Sequence, residues 1–95
     1  MKTGIELIAE ERQRQIEVEG WTLDRDLMHT DESLACAASC YALPERHRLF
    51  IRLGLPYPWR WTATYWKPTP DNRIRELQKA GALIAAEIDR LQRLV

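Results

Sequence analysis

The chain is poor in the residues that most often carry chemistry: 95 residues hold two cysteines, two histidines and four glycines. There is accordingly no Cys/His spacing for zinc, no glycine-rich phosphate loop, and no serine or cysteine with a nucleophile-type flank. Cys36 and Cys40 lie four apart in an apolar run. A helix puts them on one face, where disulfide geometry across a single turn is poor, so they read as packing residues. Surplus charge is absent as well, since 14 basic residues offset 14 acidic ones for a formal net charge of +0. A balanced molecule offers no electrostatic funnel towards a nucleic-acid backbone or an anionic membrane, which argues against generic nucleic-acid binding. No apolar run is long enough to span a bilayer, and the N-terminus lacks the charged and apolar regions of a secretory signal. The expectation is a cytoplasmic protein with no membrane partner.

This length suits one modest domain, residues 1–95, with a single core. A chain this short is marginal alone, which makes self-association an accessible source of stability.

Three helices are legible, near residues 4–19, 31–43 and 70–94. The first opens with Thr3 and, three residues on, Glu6, a capping-box pattern, and Gly20 is a natural stop. Ile5, Ile8, Arg12 and Ile16 form its narrow stripe, with Glu6, Glu10, Glu11, Arg14, Glu17 and Glu19 on the other faces. The second has Thr30 as N-cap, Asp31 and Glu32 in its first turn, and an end imposed by Pro44. Its body is rich in Ala, Ser and Cys, which lets neighbouring backbones approach on several sides, so it reads as the central helix. The last begins with Thr69 as cap and Pro70 at the first position. In it Ile74, Leu77, Gly81, Ile84, Ile88, Leu91 and Val95 recur at steps of three and four, a heptad seam. Two readings stay open: a helix packed along the domain core, or a seam shared between subunits of a homo-oligomer.

Residues 44–69 are too many for a structureless connection in a compact domain. The stretch 45–53 can form a short helix with Leu49, Phe50 and Leu53 turned inward, ended by Gly54. Residues 54–69 form an aromatic loop holding three of the four tryptophans and two of the three tyrosines. The fold class expected is therefore all-α, a small three- to four-helix bundle with a long aromatic-rich loop, oligomeric through its last helix.

Trp59, Trp61, Tyr65 and Trp66 beside Arg60 and Lys67 are the materials for stacking on a planar group while a cation meets a phosphate. A lid whose rings merely cap a small core uses the same residues. Trp21 can join the cluster. Arg73 and Lys79 lie at the start of the last helix, where free amides also favour an anion; for both, ligand contact and plain surface stay open, and Arg75 reads as solvated charge. His29, with Asp31, Glu32 and Glu87, offers a thin carboxylate–imidazole set for a metal, but a single histidine at a helix start more often caps or hydrogen-bonds. Glu87, among apolar neighbours, needs a cation or a donor such as Arg12 or Lys79.

Glu11-Arg12-Gln13-Arg14-Gln15-Ile16, Glu19-Gly20-Trp21-Thr22, His29-Thr30-Asp31, Trp66-Lys67-Pro68 and Lys79 to Ile88 resemble a small family of phage and prophage proteins, with Pro44 to Leu55 unmatched. That resemblance implies a viral setting, and host cytoplasm, rather than an activity. A second likeness is to the MazG-type all-α nucleotide pyrophosphohydrolases, which implies a nucleotide and magnesium. Their metal site takes a paired-glutamate motif on one helix and Glu-x-x-Asp on the next. Here Glu87 and Asp89 cannot share a helical face, which argues against hydrolysis.

The sequence thus points to a non-enzymatic binder of a nucleotide-like small molecule that sequesters a host defence signal, needing no cofactor. Its expected contacts are Trp21, His29, Trp59, Arg60, Trp61, Tyr65, Trp66, Lys67, Arg73 and Lys79. The alternatives are a magnesium-dependent pyrophosphohydrolase using Glu32 and Glu87, and a module that docks a host factor through its tryptophans.

Overall fold

Thr3 and Glu6 close the reciprocal capping box: Glu6 N donates to Thr3 Oγ1 at 3.2 Å, and Thr3 N donates to Glu6 Oε1 at 2.9 Å. Two otherwise orphan amides are satisfied, and α1 runs over Gly4–Glu17. The computed structural model describes residues 1–18 and 32–93. After α1 come α2 (Ser33–Ala42), an antiparallel hairpin of β1 (Phe50–Arg52) and β2 (Leu55–Pro56), and α3 (Arg73–Arg93). Single 3-10 turns lie at Glu45–His47 and Ala63–Tyr65. The fold is mostly helical, but the hairpin makes it not purely all-α. Gly20, Trp21, His29, Thr30, Asp31 and Val95, to which the sequence assigned roles, lie outside the described residues.

The helix starts differ from expectation. Residue Glu32 precedes α2 in a left-handed conformation, φ 63°, with no side-chain cap. At α3, Thr69 to Asn72 form a turn closed by Asn72 N donating to Thr69 O at 2.8 Å, and Asn72 Oδ1 accepts from Arg75 N at 3.1 Å. Asn72, rather than Thr69, is therefore the cap.

The helix expected over 45–53 is replaced by the 3-10 turn and the hairpin. Leu53 at φ 51° and Gly54 at φ 72° both adopt left-handed backbone, the two-residue turn whose twist matches paired strands. Residues Phe50 and Ile51 favour a strand, and Tyr57 N donates to Leu49 O at 2.7 Å beyond the paired residues. Leu49, Phe50 and Leu53, expected to face inward, are exposed.

The last helix, not α2, is central, since α3 packs along both α1 and α2. Where α1 crosses it, Ile8 lies against Gly81 so closely that a Cβ there would overlap Ile8 Cγ1 and Cδ1. Among the described residues the apolar core is small: Leu34, Ala37, Ala38 and Tyr41 of α2 meet Ala80, Leu83 and Ala86 of α3, with Trp59, Trp61 and Trp66 packed on them. The heptad residues Ile74, Leu77, Ile84, Ile88 and Leu91 face outward, which overturns their placement along the core. Of the stripe expected on α1, Arg12 is buried and Ile8 and Ile16 are half-buried, but Ile5 is exposed, and Glu11 and Gln15 are buried beside them. Pairing makes this burial tolerable. Arg14 and Arg75 both meet Glu11 Oε1, at 2.8 and 2.5 Å, and Arg12 meets Asp89 at 3.3 Å.

Candidate functional site

The aromatic loop is held at its base by two guanidinium groups that close the C-terminus of α2. Arg48 Nε donates to Cys40 O at 2.8 Å and its NH2 to Tyr41 O at 3.3 Å. Arg73 donates to the carbonyls of Tyr41, Ala42 and Leu43. Carbonyls at a helix end lack intrahelical donors and carry partial negative charge, so both cations are well placed. Glu76 joins them: Oε1 accepts from Arg48 at 3.1 Å and from Arg73 at 3.2 Å, and Oε2 accepts from Thr69 N at 3.1 Å. Burial pushes the Glu76 carboxyl up, but the hydrogen bonds from Arg48 and Arg73, the Arg48 charge and the Thr69 amide outweigh it and leave it below its ordinary value.

Tyr41 organises the rings above. Its hydroxyl accepts from Lys67 N at 2.9 Å and donates to Tyr65 O at 3.3 Å, which ties the loop to α2. Its ring meets Trp59 edge-on at 5.8 Å and Trp66 in a tilted arrangement at 4.8 Å. Trp59 in turn makes T-shaped contacts with Trp61 at 5.4 Å and Trp66 at 5.1 Å. Perpendicular rings set electron-rich faces against electropositive edges, one of the preferred packings of aromatic pairs. Lys79 Nζ lies 5.5 Å from the Tyr41 centroid and donates to Lys67 O at 2.6 Å, while Arg48 lies over Trp66 at 5.2 Å.

Between these rings and the N-terminal helix is a cavity of about 210 Å³, walled by Trp59, Trp61, Tyr65 and Tyr41 on one side, and by Glu11, Arg14, Gln15, Lys67, Lys79 and Leu83. Among the described residues of the wall, three are cations and one is a carboxylate. Burial raises the Glu11 carboxyl, yet hydrogen bonds and charge from Arg14 and Arg75 dominate and hold it low, which makes it a weak proton acceptor. Gln15 Nε2 donates to Glu11 Oε2 at 3.4 Å, and Gln15 Oε1 has no donor among the described residues. The volume is below the roughly 300–1,000 Å³ of pockets that enclose a whole drug-sized ligand, and suits one planar group with the remainder outside.

Of the residues expected from sequence, Trp59, Trp61, Tyr65, Lys67 and Lys79 converge on this cavity. Trp66 packs instead on Tyr41 and beneath Arg48. Arg60 lines a second, outward groove with Ile51, Leu53, Tyr57, Trp59 and Trp61. Arg73 caps the end of α2 and pairs with Glu76. Arg75, expected as solvated charge, is paired with Glu11. The partner of Glu87 is neither Arg12 nor Lys79 but Arg90, which donates to both carboxylate oxygens at 2.6 and 3.1 Å. Glu32 is exposed at the start of α2. No cluster of three or more His, Cys, Asp or Glu residues gathers for a metal among the described residues. No described helix is long and apolar enough to cross a membrane.

The wall residues Glu11, Arg14, Gln15, Tyr41 and Leu83 were not singled out in the sequence as site residues. The one available signal was the run Glu11 to Gln15, whose charges look like an ordinary solvated face until α3 covers them. No family model, curated protein or solved structure matches the chain.

Proposed function

We propose that this chain binds a nucleotide-like small molecule in the cavity beneath its aromatic loop and holds it without breaking it. The observation that carries the reading is the convergence of Trp59, Trp61 and Tyr65 with Arg14, Lys67 and Lys79 on one cavity. A base-sized ring enters between the aromatics and α1, and phosphate oxygens meet the cations at the rim. Gln15 Oε1 supplies acceptor capacity for an N–H of the ring. Holding is favoured over cleavage because Glu11, the one carboxylate on the wall among the described residues, is occupied by two arginines and is a poor base. That such binding withdraws a host defence signal is part of the same proposal.

Calorimetric titration of the full chain with mononucleotides, cyclic dinucleotides and ADP-ribose derivatives tests the reading. Saturable heat with a member of the panel, reduced at least tenfold in affinity by Lys79→Gln, is the expected result. No heat from folded protein with any of them contradicts it.

A second reading has an observation of its own. The outward groove beside the hairpin is rimmed by exposed Ile51, Leu53 and Tyr57, an apolar surface of the kind that meets another protein. Under it, a host factor is retained by the chain and released by Ile51→Asp, a residue away from the cavity, while nucleotide titrations stay silent.

A further inference from the structure

The distribution of bulk in this fold is inverted. The core contact between α2 and α3 is made largely by alanines, Ala37, Ala38, Ala80 and Ala86, with Leu34, Tyr41 and Leu83. The larger aliphatics of α3 are outside: Ile74, Leu77, Ile84, Ile88 and Leu91 are between 45% and 62% exposed. They are not scattered. With Gly81 they follow the three-and-four spacing along nearly the whole of Arg73–Arg93, so they form one stripe uninterrupted by charge. α2 takes another side of α3 at Ala80 and Leu83, and α1 meets the stripe itself at Gly81, where Ile8 is seated, with Ile74 and Leu77 before that contact and Ile84, Ile88 and Leu91 after it. Ile5, one turn before Ile8 on α1, adds another exposed aliphatic side chain.

We infer that this outward stripe of α3 is covered by a second copy of the same chain, in a two-fold dimer, independently of what the cavity binds. Three observations favour a copy of itself over another occupant. A heptad stripe is self-complementary, because knobs at each position find holes of the same spacing on an identical helix. The net charge of +0 lets two copies meet without mutual repulsion, and gives no attraction to an anionic surface or nucleic acid. The area suffices as well. Five half-exposed Ile and Leu side chains with Ile5 bring on the order of 500 Å² per protomer, so pairing removes on the order of 1,000 Å², the scale at which a specific interface begins.

Sedimentation of the full chain over a concentration series, up to about 100 μM, tests this by the usual mass-action criterion. The expected result is a dimer that converts to monomer in Ile84→Glu and in Leu77→Gln/Ile88→Gln, with helical circular dichroism unchanged because these side chains are already half in solvent. A wild-type chain that stays monomeric throughout overturns the inference, whatever the variants do. So does a dimer whose mass survives in both folded variants.

Discussion

Arg48, from the turn before β1, and Glu76, in the first turn of α3, form an ion pair at 3.1 Å with both side chains almost wholly removed from solvent. It joins the end of α2, the exit of the aromatic loop and the start of α3, three segments that only the folded chain brings together. Removing one partner strands a buried charge, so Glu76→Ala is expected to cost about 3–5 kcal/mol in urea denaturation. Replacing Arg48 and Glu76 together with Met and Leu should cost clearly less than the sum of the single changes. Additive losses would mean that the two residues act independently.

The same carboxylates set an acid limit. Glu76 and Glu11 are both held below their ordinary values by arginines, against the opposing effect of burial. A depressed folded-state value means that the unfolded chain binds the proton more readily. The resulting stability is complete above about pH 4.3, the unfolded glutamate value, and is lost as pH falls through the lower folded value. Unfolding free energy measured at pH 7 and again near pH 3 should fall, and the fall should shrink in Glu11→Gln. A pH-independent stability across that window would count against the pairing.

Gly81 gives a prediction whose sign runs against helix propensity. In an exposed helix interior, Gly→Ala gains about 1 kcal/mol. Here the added methyl meets the stiff, β-branched Ile8 at its Cγ1, Cγ2 and Cδ1, so Gly81→Ala is expected to cost about 1–3 kcal/mol. Combining it with Ile8→Ala should recover most of that loss in thermal or urea melts. A stabilised single variant would show that α1 does not press on α3 at this point.

The cysteines should differ in reactivity. Cys40 is buried, and burial pushes its thiol up to about 11, whereas Cys36 is only partly covered. A thiol reagent at pH 8 should label Cys36 well before Cys40, with Cys40 reacting only as the fold opens. Equal rates would place α2 differently from the packing described above.

Much of this fold was legible because its signals are local. Thr3 with Glu6 fixed one helix start, Pro44 one helix end, and the spacing from Ile74 to Leu91 one helix face. What spacing leaves open is which side of a face lies inside. An apolar stripe normally turns inward, but here buried charges on the inner sides are satisfied by one another, Arg48 with Glu76 and Arg90 with Glu87, and alanines complete the contact. The hairpin was missed because its turn is Leu53-Gly54, without the Asn-Gly or Asp-Gly that usually marks two left-handed residues. At the site, the aromatic loop was visible as a cluster within a dozen residues. Its opposite wall, Glu11 to Gln15, and its organising ring, Tyr41, come from distant helices and needed the tertiary packing to be found.

The most direct test of the account is a tryptophan-fluorescence titration of the full chain with a mononucleotide and cyclic-dinucleotide panel, since Trp59 and Trp61 both line the cavity. A guest stacked there should quench emission saturably, with the change largely gone in Trp61→Leu and its midpoint moved at least tenfold in Lys79→Gln. Emission that stays constant across the panel, from protein whose circular dichroism is native, would contradict the assignment of this cavity as a nucleotide-type site.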